Sequence, residues 1–273
     1  MGLQGKLGFI GGGRMGEALI QGVLQSGIIA AADILVTDPV AERRKYLSDT
    51  YRVQTFDSSA DDPVWSACAT VILAVKPQIM KDVLREAKGR INDSHLLISI
   101  AAGVQSSFID ANLAGCGCRI IRVMPNTPAF VLEAASAISQ GPRANGDDMD
   151  TAVAIFNSIG KSIIVAEKYF DAVTGLSGSG PAYVFTFIEA LIDAGLKVGL
   201  NRSDAEFLVL QTILGSVKLA MNSREHPAQL RAMVTSPGGT TIAGLHELEA
   251  AGFNGIIMDA VEAATNRSIE LGK

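Results

Sequence analysis

The sequence predicts an α/β domain followed by an all-helical one, and three observations carry that prediction. Through about residue 165, short β-branched runs alternate with helical patterns. Alternation of this kind builds a doubly wound, mostly parallel sheet. The strand candidates are nearly continuous apolar runs, TVILAV and LLISIA among them, as expected of strands covered on both faces. After Glu167 no strong strand pattern remains and the chain reads as successive helices. The predicted domains are therefore residues 1–166 and 167–273.

The predicted strands are Lys6–Ile10, Ile34–Asp38, Arg52–Phe56, Thr70–Lys76, Leu96–Ala101, Arg119–Met124, Ala135–Ser139 and Ser162–Ala166. A helix over Asp147–Ile159 follows from the spacing of Met149, Ala152, Val153, Phe156 and Ile159. In the second domain, helices are expected over Gly180–Gly199, Ser203–Asn222, Pro227–Val234, Thr240–Ala251 and Asn254–Leu271. Ser203 and Glu206 have the spacing of a capping box for the second of these. The first carries its charges only at Glu189, Asp193 and Lys197, a narrow stripe on an otherwise apolar or small surface. Such a helix is buried nearly all round, either at the centre of a compact domain or in an extensive subunit interface. A helical domain of this size cannot easily bury several such helices alone, which favours the interface.

Composition excludes several classes. The net charge of −5, without a basic cluster, argues against a nucleic-acid partner. No apolar run reaches the ~18 residues of a membrane span, and the N-terminus reads as a strand, not a signal peptide. Cys68, Cys116 and Cys118 do not suggest a disulfide framework, and His95, His226 and His246 are scattered. The expectation is a cytoplasmic, metal-free protein.

The segment GFIGGGRMGEALIQG follows the first strand and opens a helix. Gly11, Gly13 and Gly16 give the G-x-G-x-x-G spacing. The first glycine permits the tight turn, the second lets a pyrophosphate approach, and the third allows close helix–strand contact. Asp38 ends the second strand about 22 residues on, where a carboxylate can bind the ribose of NAD and repel a 2′-phosphate. Arg43 and Arg44 follow and could neutralise that phosphate, or could be a solvated helix face. The domain is thus Rossmann-like and takes NADPH or NADH. Ala74–Pro77, Ala101–Gly103 and Met124–Ala129 fall at the carboxyl ends of later strands, the ligand-binding edge of an open parallel sheet. Lys76 reads as a cofactor contact or general acid, its backbone beside Pro77 being the more useful part.

A second glycine-rich segment, SPGGTTIAGL, starts at Ser236. Gly238 and Gly239 at a helix start would leave amides open to a small carboxylate, with Ser236 and Thr240 adding hydroxyls. The bland alternative is an ordinary cap with Ser236 as N-cap and Pro237 in the first turn. The segment holds hydroxyls and bare amides but no ionisable group. A ketone reductase must protonate an alkoxide, whereas an imine can be protonated beforehand. The segment therefore suits an imine.

The motifs GFIGGGRMG, ILAVKPQ, ISIAAGV, RVMPNTPA, GLSGSGPAYVF and SPGGTTIAGLHELEAAGF, in this order, resemble those of pyrroline-5-carboxylate reductases over essentially the whole chain. The resemblance implies reduction of 1-pyrroline-5-carboxylate to L-proline by NAD(P)H, and an intertwined homodimer through the helical domain, often in rings of dimers. It implies cofactor contacts from Ile10, Gly11, Gly13, Arg14, Met15, Gly16, Ala74, Val75, Lys76, Pro77, Ala101 and Ala102, while Asp38, a cofactor residue on its own reading, departs from members with a small polar residue suited to a 2′-phosphate. It implies that Ser236, Gly238, Gly239, Thr240 and Thr241 hold the substrate, with Thr241 nearest the imine nitrogen as the catalytic residue. Glu167 is a further candidate for the substrate pocket. Where many members carry an asparagine near the cofactor this chain has FDSSADD, so Ser58 or Ser59 takes that place.

Two other readings compete. A β-hydroxyacid dehydrogenase would use a helical lysine four residues before an asparagine, and Lys218–Asn222 has that spacing without the expected glycine-rich lead-in. A non-catalytic NAD(P)H sensor would need no second anion pocket, so SPGGTT argues against it.

Overall fold

A computed structural model describes residue 3, residues 5–58 and residues 62–272. By contacts the chain forms two compact units, Met1–Ser179 with Ala263–Lys273, and Gly180–Glu262. The first unit contains β1 (Leu7–Ile10), α1 (Arg14–Gln25), β2 (Ile34–Thr37), α2 (Ala41–Tyr51), β3 (Gln54–Phe56), α3 (Val64–Ala67), β4 (Thr70–Leu73) and α4 (Met80–Ala87). It continues with β5 (Leu96–Ser99), α5 (Ser106–Asn112), β6 (Arg119–Met124), β7 (Ala134–Gln140), α6 (Gly146–Asn157), β8 (Gly160–Ile164) and α7 (Phe170–Val173). All eight predicted strands form. The fourth is shorter than expected because Pro77 opens a 3-10 turn over Pro77–Ile79, which takes the chain off the sheet.

The strands lie in the order β3-β2-β1-β4-β5-β6-β7-β8. Every neighbouring pair is parallel except β6 and β7. Strand order therefore reverses between β1 and β4, and the turn from β1 into α1 opens at that point. The apolar runs divide by the two-residue period of a strand. Leu7, Phe9, Ile34, Val36, Ile72 and Ile98 pack on one face with Leu19, Ile20 and Phe156. Leu35, Val71, Leu73, Leu97 and Ile120 pack on the other with Trp65, Met80, Leu84 and Ile109. Gly8 is bare because a Cβ there would meet the Val64 side chain of α3 at 2.7 Å.

Gly180–Glu262 holds α8 (Gly180–Lys197), α9 (Arg202–Asn222), α10 (Pro227–Met233), α11 (Thr240–Ala250) and the start of α12 (Phe253–Leu271). Gly195 of α8 lies against Ala205 of α9, and Phe187 packs near Phe253 with ring centroids 6.2 Å apart. Among the described residues of this unit only Ala205 is buried. The predicted Ser203–Glu206 capping box is replaced by Asn201, whose side-chain oxygen accepts from the Asp204 amide at 2.9 Å. Ser203 instead donates its hydroxyl to that same oxygen.

Candidate dinucleotide and substrate sites

The loop between β1 and α1 is shaped by three contacts. Gly11 sits at φ +101°, and a Cβ on it would meet the Ala74 carbonyl oxygen at 2.5 Å. A Cβ on Gly16 would meet the Gly11 carbonyl oxygen at 2.6 Å. Gly13 caps α1, and nothing lies within 4 Å of where its Cβ would stand. Two of the glycines thus serve the fold, while the third leaves open space in front of the helix N-terminus. A dinucleotide pyrophosphate needs such a space, beside amides that lack intrahelical acceptors. Arg14 and Met15, in the first turn, flank it.

The other expected cofactor residues gather on the same sheet edge. The Ala74 amide donates to the Ile10 carbonyl at 2.8 Å, joining the ends of β1 and β4. Val75 is half-buried, Lys76 is exposed, and Pro77 starts the 3-10 turn. Ala101 is buried and Ala102 exposed just beyond β5, followed by Gly103 at φ +73°. Ser58 is exposed on the loop after β3, while Ser59 lies outside the described residues. Asn126, in the loop after β6, donates to the Ser177 carbonyl at 3.0 Å and accepts from the Ala135 amide at 2.9 Å.

Asp38 is only 8% exposed. Its Oδ2 accepts from the Gly12 amide at 2.8 Å, and its Oδ1 from the Val40 amide at 2.9 Å. Arg44 donates from Nη1 to the Asp38 carbonyl at 2.8 Å. Arg43 donates to the Gly12 carbonyl and pairs with the Glu17 carboxylate. Tyr46 and Tyr51 donate their hydroxyls to Glu17 at 2.9 and 3.0 Å. Burial opposes the ionisation of Glu17, but the bonds from Arg43, Tyr46 and Tyr51 together hold its carboxyl below the ordinary value. Burial first, and then the bond to Glu17, push the Tyr51 phenol up to about 12.

Glu167 belongs by contact to the sheet unit. Its Oε1 accepts from the Ser106 amide at 2.7 Å and from Arg122 at 3.1 Å, and its Oε2 accepts from the Ser106 hydroxyl. Arg122, side chain 5% exposed, also lies over the Phe170 ring at 4.6 Å. Sequence reasoning did not find this cluster. The available signal was the arginine inside the buried strand RIIRVM, which requires a partner carboxylate.

The second glycine pair has two separate local causes. Gly238 stands at φ +66°, a conformation that side chains resist. Gly239 is itself the N-cap of α11, so Ser236 is not. A Cβ on Gly239 would require the Ser236 hydroxyl to turn away. The Gly239 amide is engaged, donating to the Ser236 carbonyl at 3.1 Å. The first amide to reach back along the helix is that of Ala243, to the Gly239 carbonyl. The amides of Thr240, Thr241 and Ile242 precede it and have no intrahelical acceptor. The amides without an intrahelical acceptor therefore begin at Thr240, just past the glycine pair. Thr241 is half-buried and Thr240 exposed. Lys218 and Asn222 lie exposed on α9.

Residues 167–271 match the family model for the pyrroline-5-carboxylate reductase dimerisation domain, and residues 6–103 match that for coenzyme F420-dependent NADP oxidoreductases. The chain is 45% identical to a pyrroline-5-carboxylate reductase of Methanosarcina acetivorans, over 98% of each. It is 45% identical to the Pisum sativum reductase, over 97% of this chain and 95% of that one. Among solved structures, the pyrroline carboxylate reductase of Plasmodium falciparum with NADP bound is 37% identical, with a TM-score of 0.89 and full coverage of both chains. An NADH-preferring ketol-acid reductoisomerase, 11% identical with a TM-score of 0.64 over 97% of this chain and 82% of that one, shares the fold alone.

Proposed function

We infer the working parts of this chain from one premise: it belongs to the pyrroline-5-carboxylate reductase family. It is an oxidoreductase that uses NAD(P)H to reduce the C=N bond of 1-pyrroline-5-carboxylate to L-proline, closing proline biosynthesis. The observation that carries this is likeness along the whole chain, both units included. The open space at Gly13 beside the α1 amides fits a dinucleotide. When bound, the cofactor supplies the hydride.

The residue assignment is our proposal. Ile10, Gly11, Gly13, Arg14, Met15 and Gly16 hold the pyrophosphate end, with Asp38 and Ser58 on the adenosine side. Ala74–Pro77 and Ala101–Ala102 line the sheet edge that carries the rest of the dinucleotide. At the N-terminus of α11, the amides of Thr240 and Thr241, with the hydroxyls of Ser236 and Thr240, take the substrate carboxylate, helped by the helix dipole. Gly238 and Gly239 shape that turn. The Thr241 hydroxyl orients the ring nitrogen. The product is an amine, so the segment needs no strong general acid. Glu167 acts as a positioning residue, fixing Ser106 and Arg122.

The chain works as a homo-oligomer through its dimerisation domain, whose model begins at residue 167. On that basis we keep residues 1–166 and 167–273 as the functional domains. An intertwined dimer, able to build rings of dimers, extends this reading, and the exposed apolar side chains of Gly180–Glu262 support it. Among the described residues no helix is long and apolar enough to cross a membrane. Three free cysteines suit a reducing cytoplasm.

The test is Thr241→Ala. Its kcat/KM for the imine should fall by about 100-fold or more, as when one oriented donor is lost, with NADPH affinity unchanged. Wild-type kinetics in that variant would remove Thr241 from the site.

A further inference from the structure

We propose that Arg44, rather than Arg43, is the group that accepts a 2′-phosphate on the dinucleotide. This rests on the dinucleotide reading above. An acid at the end of the second strand ordinarily selects the unphosphorylated ribose. Here both Asp38 carboxylate oxygens are fixed by chain amides, those of Gly12 and Val40, and the side chain is almost covered. It thereby holds the glycine loop against the end of β2, and its charge means that a 2′-phosphate at this edge needs a facing cation.

The two arginines differ in what they have left to offer. Arg43 donates Nε to the Gly12 carbonyl and Nη2 to Glu17, and lies over the Tyr46 ring at 5.0 Å. Its charge is met by a carboxylate that two tyrosine hydroxyls keep in place. Arg44 gives one N–H, from Nη1, to the Asp38 carbonyl. Among the described residues it forms no ion pair. A guanidinium has five N–H donors, so most of the Arg44 fork is unspent beside the end of β2. Arg43 is thus a positioning residue for the loop, while Arg44 carries the free charge and donors that bind phosphate well.

The experiment is a calorimetric titration of wild type, Arg44→Gln, Arg44→Lys and Arg43→Gln with NADPH and NADH, and with 2′,5′-ADP and 5′-AMP as fragment probes. Circular dichroism confirms that each variant is folded. Arg44→Gln should weaken NADPH and 2′,5′-ADP by about tenfold or more, the worth of a charged hydrogen-bonded contact. NADH and 5′-AMP should stay within about twofold, and Arg44→Lys should recover part of the loss. Arg43→Gln should weaken both dinucleotides alike. Equal loss of both in Arg44→Gln, or a loss confined to NADPH in Arg43→Gln, would overturn the assignment while leaving the dinucleotide site standing. Wild-type protein that binds neither dinucleotide would instead bring down the site itself.

Discussion

The sheet unit and the helical unit handle apolar surface in opposite ways. In the first, the chain's own helices cover both faces of the central strands, and Phe9, Phe156 and Ile72 are fully enclosed, although Ile163 and Ile164 on the edge strand β8 are each 63% exposed. In Gly180–Glu262, Phe185 is 64% exposed, Phe207 69% and Met221 72%. These residues occur within long helices, so they are not accidents of loop placement. An exposed apolar side chain is common, but a whole set in one unit marks surface meant to be covered. The difference teaches that the sheet unit encloses its central core with its own helices, whereas the helical unit is completed by a second copy.

The comparison can be broken most severely in the sheet unit. Phe156→Ala should cost about 3–5 kcal/mol, a large-to-small change at a fully buried aromatic, read as a lower denaturation midpoint. A small loss would mean that this core is looser than its packing indicates. Phe207→Asp should barely alter the unfolding of the sheet unit and should instead dissociate the oligomer. Light scattering at micromolar concentration would see that directly, and an unchanged mass would show that α9 does not meet the partner through this side chain. A smaller effect sharpens the contrast from the sheet side. Glu17→Gln should lower stability by about 1 kcal/mol at neutral pH, the scale of a partly exposed ion pair. Because the folded carboxyl lies below its ordinary value, the contribution is full above that ordinary value. The gap between wild type and variant should close as pH falls through the folded value. A constant gap would mean that Glu17 acts through packing alone.

What the sequence disclosed was local or periodic. Strands, helices and the tight turn that needs Gly11 and Gly16 all follow from patterns within a few residues of one another. The caps were less legible: Asn201 displaced Ser203, and Gly239 displaced Ser236, because a cap depends on where the first helical turn closes. Least legible were groups paired across the fold. Glu167 meets Ser106 and Arg122, 61 and 45 residues away, and Asp38 meets Gly12, 26 residues away. No short motif encodes such partners, so the sequence did not disclose that Asp38 also holds the Gly12 amide.

That last bond has a consequence for affinity. A glycine-rich loop is the part of a chain with the most conformational freedom to lose on ordering. Here the Asp38 carboxylate holds the Gly12 amide, and Arg43 holds the Gly12 carbonyl. The loop's disorder is thus removed when the domain folds and not when the ligand arrives. Binding then has less entropy to overcome, and preorganisation of this kind raises affinity without adding a single contact.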